Sequence, residues 1–133
     1  MMYIYQKGTL KDSVAILFSV TPEGNNNWNW KTQYLSDKFP LTKNYTLKLI
    51  DTTSNRFVVD EGEGILLYDY LFNNKLYAVF ETHDILLTSS YELLNENELI
   101  FEVTSGKKLV GKSTDEVVNY SVESLQRVIL KRK

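Results

Sequence analysis

The single histidine of the chain is its first candidate for a reactive side chain. His83 lies between Glu81 and Asp84, where it could act as a general base or as one ligand of a metal. One histidine without any cysteine cannot supply the usual ligand set of a zinc site. No serine stands in a Gly-x-Ser-x-Gly nucleophile motif. The sequence therefore predicts an exposed turn histidine, no metal and no cofactor, and it favours a non-enzymatic protein over an enzyme.

Two groups of carboxylates could bind calcium or act as an acid–base pair. Residues 60–63 read Asp-Glu-Gly-Glu, which lacks the ligand order and the closing glutamate of a calcium loop. A hairpin tip in which Gly62 and Gly64 adopt positive φ is the favoured interpretation. Glu98 and Glu102 are four residues apart on one predicted strand, or ~13 Å at ~3.3 Å per residue. That distance is too long for paired acid–base catalysis unless another strand contributes.

Asp69 is the one charged residue in the apolar run 65–72. If the face that carries Leu67 points inward, Asp69 lies in an apolar interior, where a carboxylate is costly unless it is paired. The sequence favours an Asp69 that faces solvent or pairs with a Lys or Arg of a neighbouring strand, and a ligand-anchoring role stays open. The run is apolar on both faces, which is typical of a strand whose outer face is covered or contacts a partner.

Composition and charge argue against several classes of partner. Fifteen basic and seventeen acidic residues give a net charge of −2, and their interspersion argues against nucleic acid. No segment approaches the ~20 apolar residues of a membrane helix, so no membrane span is expected. The N-terminus lacks a signal-peptide core, which fits a cytoplasmic protein or an exported one whose signal peptide was removed. The basic end Lys131–Arg132–Lys133 is favoured as a solvated terminus.

The elements that must position these side chains are β-strands. Apolar residues recur at every second position in many segments, as at Val14, Ile16 and Phe18, which indicates antiparallel strands with one buried face. Turn residues such as Asn73 and Asn74 interrupt the apolar runs about every ten residues, too often for crossover helices. Strands are predicted near 3–10, 14–20, 28–35, 44–51, 56–60, 64–72, 75–82, 85–93, 97–104, 116–122 and 124–132.

The sequence of residues 113–122 has two interpretations. Ser113 and Glu116 have the spacing of a capping box, so a short helix over 113–120 is the alternative to a strand at 116–122.

The chain has no linker or repeat and the length of one domain, residues 1–133. An open sheet of so many strands would expose unpaired edges. The predicted fold is therefore an all-β, antiparallel up-and-down meander that closes into a barrel of about 8–10 strands.

In this pattern the chain resembles the lipocalin-like, or calycin, β-barrels. The resemblance rests on the succession of short strands, on 8–10 (Gly-Thr-Leu), on 28–30 (Trp-Asn-Trp) and on the closing segment 125–132. It implies a barrel that can hold one small apolar or amphipathic ligand. The Gly-x-Trp of lipocalins is missing at Gly8, and the Arg-x-Tyr of fatty-acid-binding relatives is missing at Arg127. The second difference argues against a ligand held by a carboxylate headgroup.

The parity of each strand predicts which side chains share the inside of the barrel. The expected interior residues are Trp28, Trp30, Tyr45, Leu47, Leu67, Phe80, Leu87, Tyr91, Phe101 and Ile129. Core packing is favoured over an exposed stacking role for the two tryptophans, since Trp dominates the cores of small β domains. The expected ligand-binding residues are Trp28, Trp30, Asp69, Ser89, Tyr91 and Arg127.

Two functions of different kinds fit this fold. The first is a binding module that holds a small apolar or amphipathic ligand in a mostly apolar pocket with few polar anchors. The second is a structural or interaction domain with a filled core, which forms a homo-oligomer or binds a protein partner through the apolar strand 64–72. A cavity of roughly 300 Å³ or more would favour the first function, and a filled interior with an apolar outer patch would favour the second.

Overall fold

Ten strands follow one another along the chain in the computed structural model, which describes residues 1–38 and 40–132. The strands are β1 (Met2–Gln6), β2 (Thr9–Pro22), β3 (Asn27–Leu35), β4 (Leu41–Asp51), β5 (Arg56–Gly62), β6 (Ile65–Phe72), β7 (Lys75–Thr82), β8 (Ile85–Asn95), β9 (Glu98–Lys108) and β10 (Tyr120–Lys131). Phe39 lies outside the described residues, as does Lys133, the last residue of the basic end.

The strands form a closed antiparallel barrel. Each strand pairs with the next, and β1 pairs with β10 in a ladder that includes Tyr3 opposite Arg127. This closure pairs the first strand with the last, so that neither lies at an open end of the sheet, which is the physical reason for a barrel rather than an open meander. The predicted all-β meander closing into a barrel is confirmed. No helix that could cross a membrane occurs in residues 1–38 and 40–132.

Residues 109–119 form neither helix nor strand, so the helix over 113–120 is wrong, and of the strand predicted near 116–122 only residues 120–122 are extended, at the start of β10. The hydroxyl oxygen of Thr114 accepts a hydrogen bond from the backbone N–H of Val117 at 3.0 Å. The hydroxyl oxygen of Ser113 accepts one from the N–H of Asn119, also at 3.0 Å. Such side-chain acceptors offer the backbone an alternative to helical bonds. The strand predicted at 3–10 is likewise divided, since a turn at residues 7–8 separates β1 from β2.

Short turns whose residues have positive φ connect the two strands in several of the hairpins. Glu63 and Gly64 have φ of 56° and 80° between β5 and β6, and His83 and Asp84 have φ of 51° and 62° between β7 and β8. Two successive positive φ values match the twist of the flanking strands. The positive φ expected of Gly64 is confirmed, and His83 is exposed at its turn as predicted.

The interior is packed by two clusters of apolar side chains. One is built on Trp30, Leu47, Val59 and Leu76, and the other on Met2, Phe101 and Val128. The inward positions predicted for Trp30, Leu47 and Phe101 are confirmed, since each of these residues is buried.

The inward position predicted for Ile129 is wrong. Ile129 is 41% exposed, whereas its neighbour Val128 is 2% exposed. Val128 lies opposite the buried Phe101 in the β9–β10 ladder, and directly opposite residues share a face of the sheet. Residues 128–130 are all apolar, so alternation alone could not choose between the two faces. The side chains of Arg127, Ile129 and Lys131 therefore all lie on the outside of the barrel.

Candidate functional site

A cavity of about 170 Å³ lies inside the barrel and is the candidate functional site. Strands β3 to β9 all contribute side chains to its lining. The aliphatic and phenylalanine side chains of its lining are Val59, Leu67, Ala78, Phe80, Leu87, Phe101 and Val103. The volume is below the ~300 Å³ at which pockets for drug-sized ligands begin. It is close to that of an engineered apolar cavity of ~150 Å³ that accepts benzene. The interior is therefore neither filled nor roomy, and its size suits a ligand of one ring.

An aromatic cluster bounds the cavity on one side. Tyr91 and Phe101 line the cavity, with ring centroids 4.5 Å apart. Trp30 meets Tyr91 edge-on at 5.0 Å and Phe18 edge-on at 4.9 Å. Edge-to-face pairs of this kind stabilise beyond the area they bury. Trp30 thus supports the Tyr91 wall without lining the cavity itself, which confirms core packing as its role.

Asp69 is the most unusual group in the cavity lining. Its side chain is 2% exposed, and its Oδ1 has no hydrogen-bond partner among the described residues. Burial raises the pKa of this carboxyl from 3.8 to about 7. The favoured expectation of a solvent-facing or ion-paired Asp69 is wrong, because Asp69 lies opposite the inward-facing Phe57 in the β5–β6 ladder. Buried polar atoms of native proteins are nearly always hydrogen-bonded, so this one marks a position where a donor is missing.

The barrel wall is least continuous beside Asp69. The β6–β7 ladder contains Tyr70–Tyr77, Leu71–Leu76 and Phe72–Lys75 and stops there, although both strands have eight residues. The next residues along the two strands are Asp69 and Ala78, and both line the cavity. The two strands therefore part at the level of the unpaired carboxyl.

The lining also contains a pair of oppositely charged side chains that the sequence-based prediction missed. Lys43 and Glu61 line the cavity with Tyr34 and Tyr45, near the end of the barrel where β4 begins and β5 ends. Burial raises the pKa of Glu61, and the Lys43 ammonium opposes that shift. Burial, with a smaller effect of Glu61, raises the pKa of Tyr45 to about 12. The signal was present, since Lys43 has the parity of Tyr45, and Glu61 that of Val59, but a predicted hairpin tip hid it.

The structure brings three of the six predicted ligand-binding residues to the cavity. Asp69, Ser89 and Tyr91 line it, and whether they bind a ligand is a separate question. Trp30 contacts Tyr91 as described above, and Trp28 packs against the same core cluster.

Arg127 is the predicted site residue that lies elsewhere. Its Nε is 3.4 Å from Oε2 of Glu102, in an ion pair between two partly exposed side chains. Arg127 has the same parity on β10 as the exposed Ile129, and the two were assigned inward together. The ambiguous apolar run that misplaced Ile129 therefore misplaced Arg127 as well, and the cavity receives no group from this side chain.

The outer face of β6 and β7 carries a row of exposed aromatic side chains. Tyr68, Tyr70, Phe72 and Tyr77 are between 42% and 59% exposed, and we call these four residues the outer aromatic row. The Arg56 guanidinium lies 4.8 Å from the ring centroid of Tyr70 and 5.3 Å from that of Tyr68. The row confirms that the run 65–72 presents apolar groups on both faces.

The metal-binding chemistry considered for the sequence has no counterpart in the described part of the chain. No group of three or more His, Asp or Glu side chains that could hold a metal ion occurs in residues 1–38 and 40–132. His83 stands alone at its exposed turn. That the protein binds no specific metal remains a prediction.

The closed barrel of ten strands is consistent with the calycin-like architecture that the sequence pattern suggests. Strand order and closure carry this likeness, since each strand pairs with the next and the first pairs with the last. Comparison with known proteins finds no matching family model, no matching curated sequence and no matching solved structure.

Proposed function

We propose that the protein is a non-enzymatic binding module that holds one small, mostly apolar molecule in the cavity of its barrel. The observation that carries this proposal is the combination of an aromatic and aliphatic enclosure with an unpaired buried acceptor, Oδ1 of Asp69. Ligand sites are typically apolar pockets with a small number of placed polar groups. Asp69 and Ser89 are such groups on otherwise apolar walls.

The size of the cavity narrows the ligand class. At about 170 Å³ the space suits a single ring or a short branched chain, by comparison with the ~150 Å³ cavity that takes benzene. A fatty acid or a sterol would need more room. This agrees with the missing Arg-x-Tyr pair at Arg127, which argues against long-chain carboxylates.

Toluene, as an uncharged one-ring probe, tests whether the cavity accepts a ligand. A ligand that binds only the folded state raises its stability with concentration, so toluene near saturation in water should raise the Tm by roughly 3–5 °C. Ala78 is 4% exposed and lines the cavity, so Ala78→Leu should fill the space and abolish the shift. Ala15→Leu makes the same change on the outer face of β2, where Ala15 lies opposite the exposed Leu35, and should keep it. An equal shift in both variants would place toluene outside the cavity.

The outer aromatic row supports a second candidate function, self-association through the outer face of β6 and β7. Phe72 is 59% exposed and contacts Tyr77 edge-on at 5.8 Å. Contiguous exposed apolar patches of this kind often mark interaction sites. In this candidate a second copy of the chain covers the row.

Sedimentation velocity separates the two candidates. If the row is a dimer interface, the wild-type chain should sediment as a dimer at concentrations of tens of micromolar, and Phe72→Lys should sediment as a monomer. Val122→Lys, at a site that is 63% exposed on β10, is the matched control and should leave the dimer intact. A wild-type monomer at all concentrations would exclude self-association and leave the cavity as the functional feature.

A further inference from the structure

We propose that the cavity selects small organic cations, with the Asp69 carboxyl as the anchor of a protonated amine. This inference rests on the proposed function, since it specifies the chemistry of the ligand that the cavity holds. Three features of the lining support it: an unsatisfied acceptor, the distribution of charge and an aromatic enclosure.

The unsatisfied acceptor is a carboxyl oxygen of Asp69. Oδ1 of Asp69 is buried at the cavity wall without a hydrogen-bond partner among residues 1–38 and 40–132. Above about pH 7, the folded-state pKa, the carboxyl is ionised and its oxygens can only accept, so the group that pairs with it there must be a donor. An ammonium offers up to three N–H donors and a compensating charge, and charge-assisted hydrogen bonds are about twice as strong as neutral ones. A neutral hydroxyl would satisfy the oxygen without compensating its charge.

The charged groups around the cavity are unequally compensated. Its lining contains two carboxyl groups, Asp69 and Glu61, and one ammonium, Lys43, with no arginine or histidine among the described lining residues. The Lys43 ammonium stabilises the ionised form of Glu61, whereas burial is the cause of the raised pKa of Asp69. Among the described lining residues, Glu61 therefore has a cation that compensates its charge and Asp69 does not.

Aromatic rings enclose the cavity. Tyr34, Tyr45, Phe80 and Tyr91 line the same cavity, and aromatic faces attract cations through their quadrupole. The structure already pairs one cation with one of these rings, since the Lys43 ammonium lies 5.4 Å from the centroid of Tyr34. A ligand with a ring at one end and an ammonium at the other would match the walls and the anchor together. Benzylamine is the simplest such probe.

Calorimetric titration with a matched ligand series tests the inference at pH 8, where both the Asp69 carboxyl and benzylamine are charged. Benzylamine should bind roughly 10-fold to 100-fold more tightly than benzyl alcohol, as a hydrogen bond to a charged group implies. Benzoate should not bind, because its carboxylate would face Asp69. Asp69→Asn should remove the preference for the amine and keep the binding of benzyl alcohol. Asp12→Asn, an exposed position on β2, should preserve the wild-type preference.

The outcomes separate this inference from the proposed function. Benzyl alcohol and toluene binding as tightly as benzylamine would overturn the amine anchor and leave the cavity as a site for neutral ligands. The same conclusion would follow if Asp69→Asn kept the full preference. Failure of all probes to bind wild-type protein would overturn both. Thermal unfolding of each variant at pH 8 confirms that a lost preference does not reflect a lost fold.

Discussion

Trp30→Ala should lower the free energy of unfolding by ~3–5 kcal/mol, as is typical of truncating a core tryptophan. Trp30 is 7% exposed and belongs to the buried cluster with Leu47, Val59 and Leu76. The truncation would remove its ring contacts and leave a void beside Tyr91. Since small domains are stable by only ~5–15 kcal/mol, this loss should appear as a large decrease in the urea midpoint.

Two further variants give this experiment its controls. Trp30→Phe should cost clearly less than the alanine change, because it keeps an aromatic ring in contact with Phe18 and Tyr91. Tyr77→Ala, on the outer face with 44% exposure, should cost no more than ~1 kcal/mol, as for most surface positions. A Trp30→Ala cost as small as that of Tyr77→Ala would contradict the assignment of Trp30 to the core.

Asp69→Asn should stabilise the ligand-free protein at pH 8 by up to about 4 kcal/mol, since burial raises the pKa of Asp69 from 3.8 to about 7 and each of these ~3 pKa units corresponds to ~1.4 kcal/mol. Because the folded protein holds the Asp69 proton more tightly than the unfolded chain, the favourable contribution is fully present below about pH 4. It is lost as the pH rises through about 7, the folded-state pKa. The wild type should therefore lose stability over this range relative to the variant.

Urea denaturation at several pH values between 4 and 8.5 measures this difference. The difference between wild type and Asp69→Asn should increase with pH and level off above about pH 8. Asp12→Asn, at an exposed position on β2, is the matched control and should stay within ~0.5 kcal/mol of the wild type. Parallel pH profiles for wild type and Asp69→Asn would show that Asp69 is ionised in the folded protein at low pH, against the burial described here.

The sequence was sufficient for the architecture because alternation and turn chemistry are local signals. Tyr45, Leu47 and Leu49 alternate with the polar Thr46 and Lys48, and two asparagines indicate the turn at residues 73–74. Each of these signals can be read within a few residues. The closure of the meander followed from the cost of free sheet edges rather than from any single motif.

The site was less predictable because its residues depend on which face of a strand points inward. In the run 128–130 every side chain is apolar, so only the pairing of Val128 with Phe101 places Arg127 outside. Asp69 presented the opposite case, since its parity with Leu67 predicted burial but the cost of an unpaired carboxylate argued against it. The fold keeps that cost at the cavity, as functional sites often do.

Methyl NMR of the protein titrated with benzylamine is the measurement that tests the central claim, a ligand held inside the barrel, most directly. Saturable shifts are expected for the methyl groups that line the cavity, on Ala78, Leu87 and Val103. The exposed methyl groups of Val122 and Ile129 should stay unchanged. Shifts confined to the outer face, or no shifts at millimolar benzylamine and at saturating toluene, would contradict it.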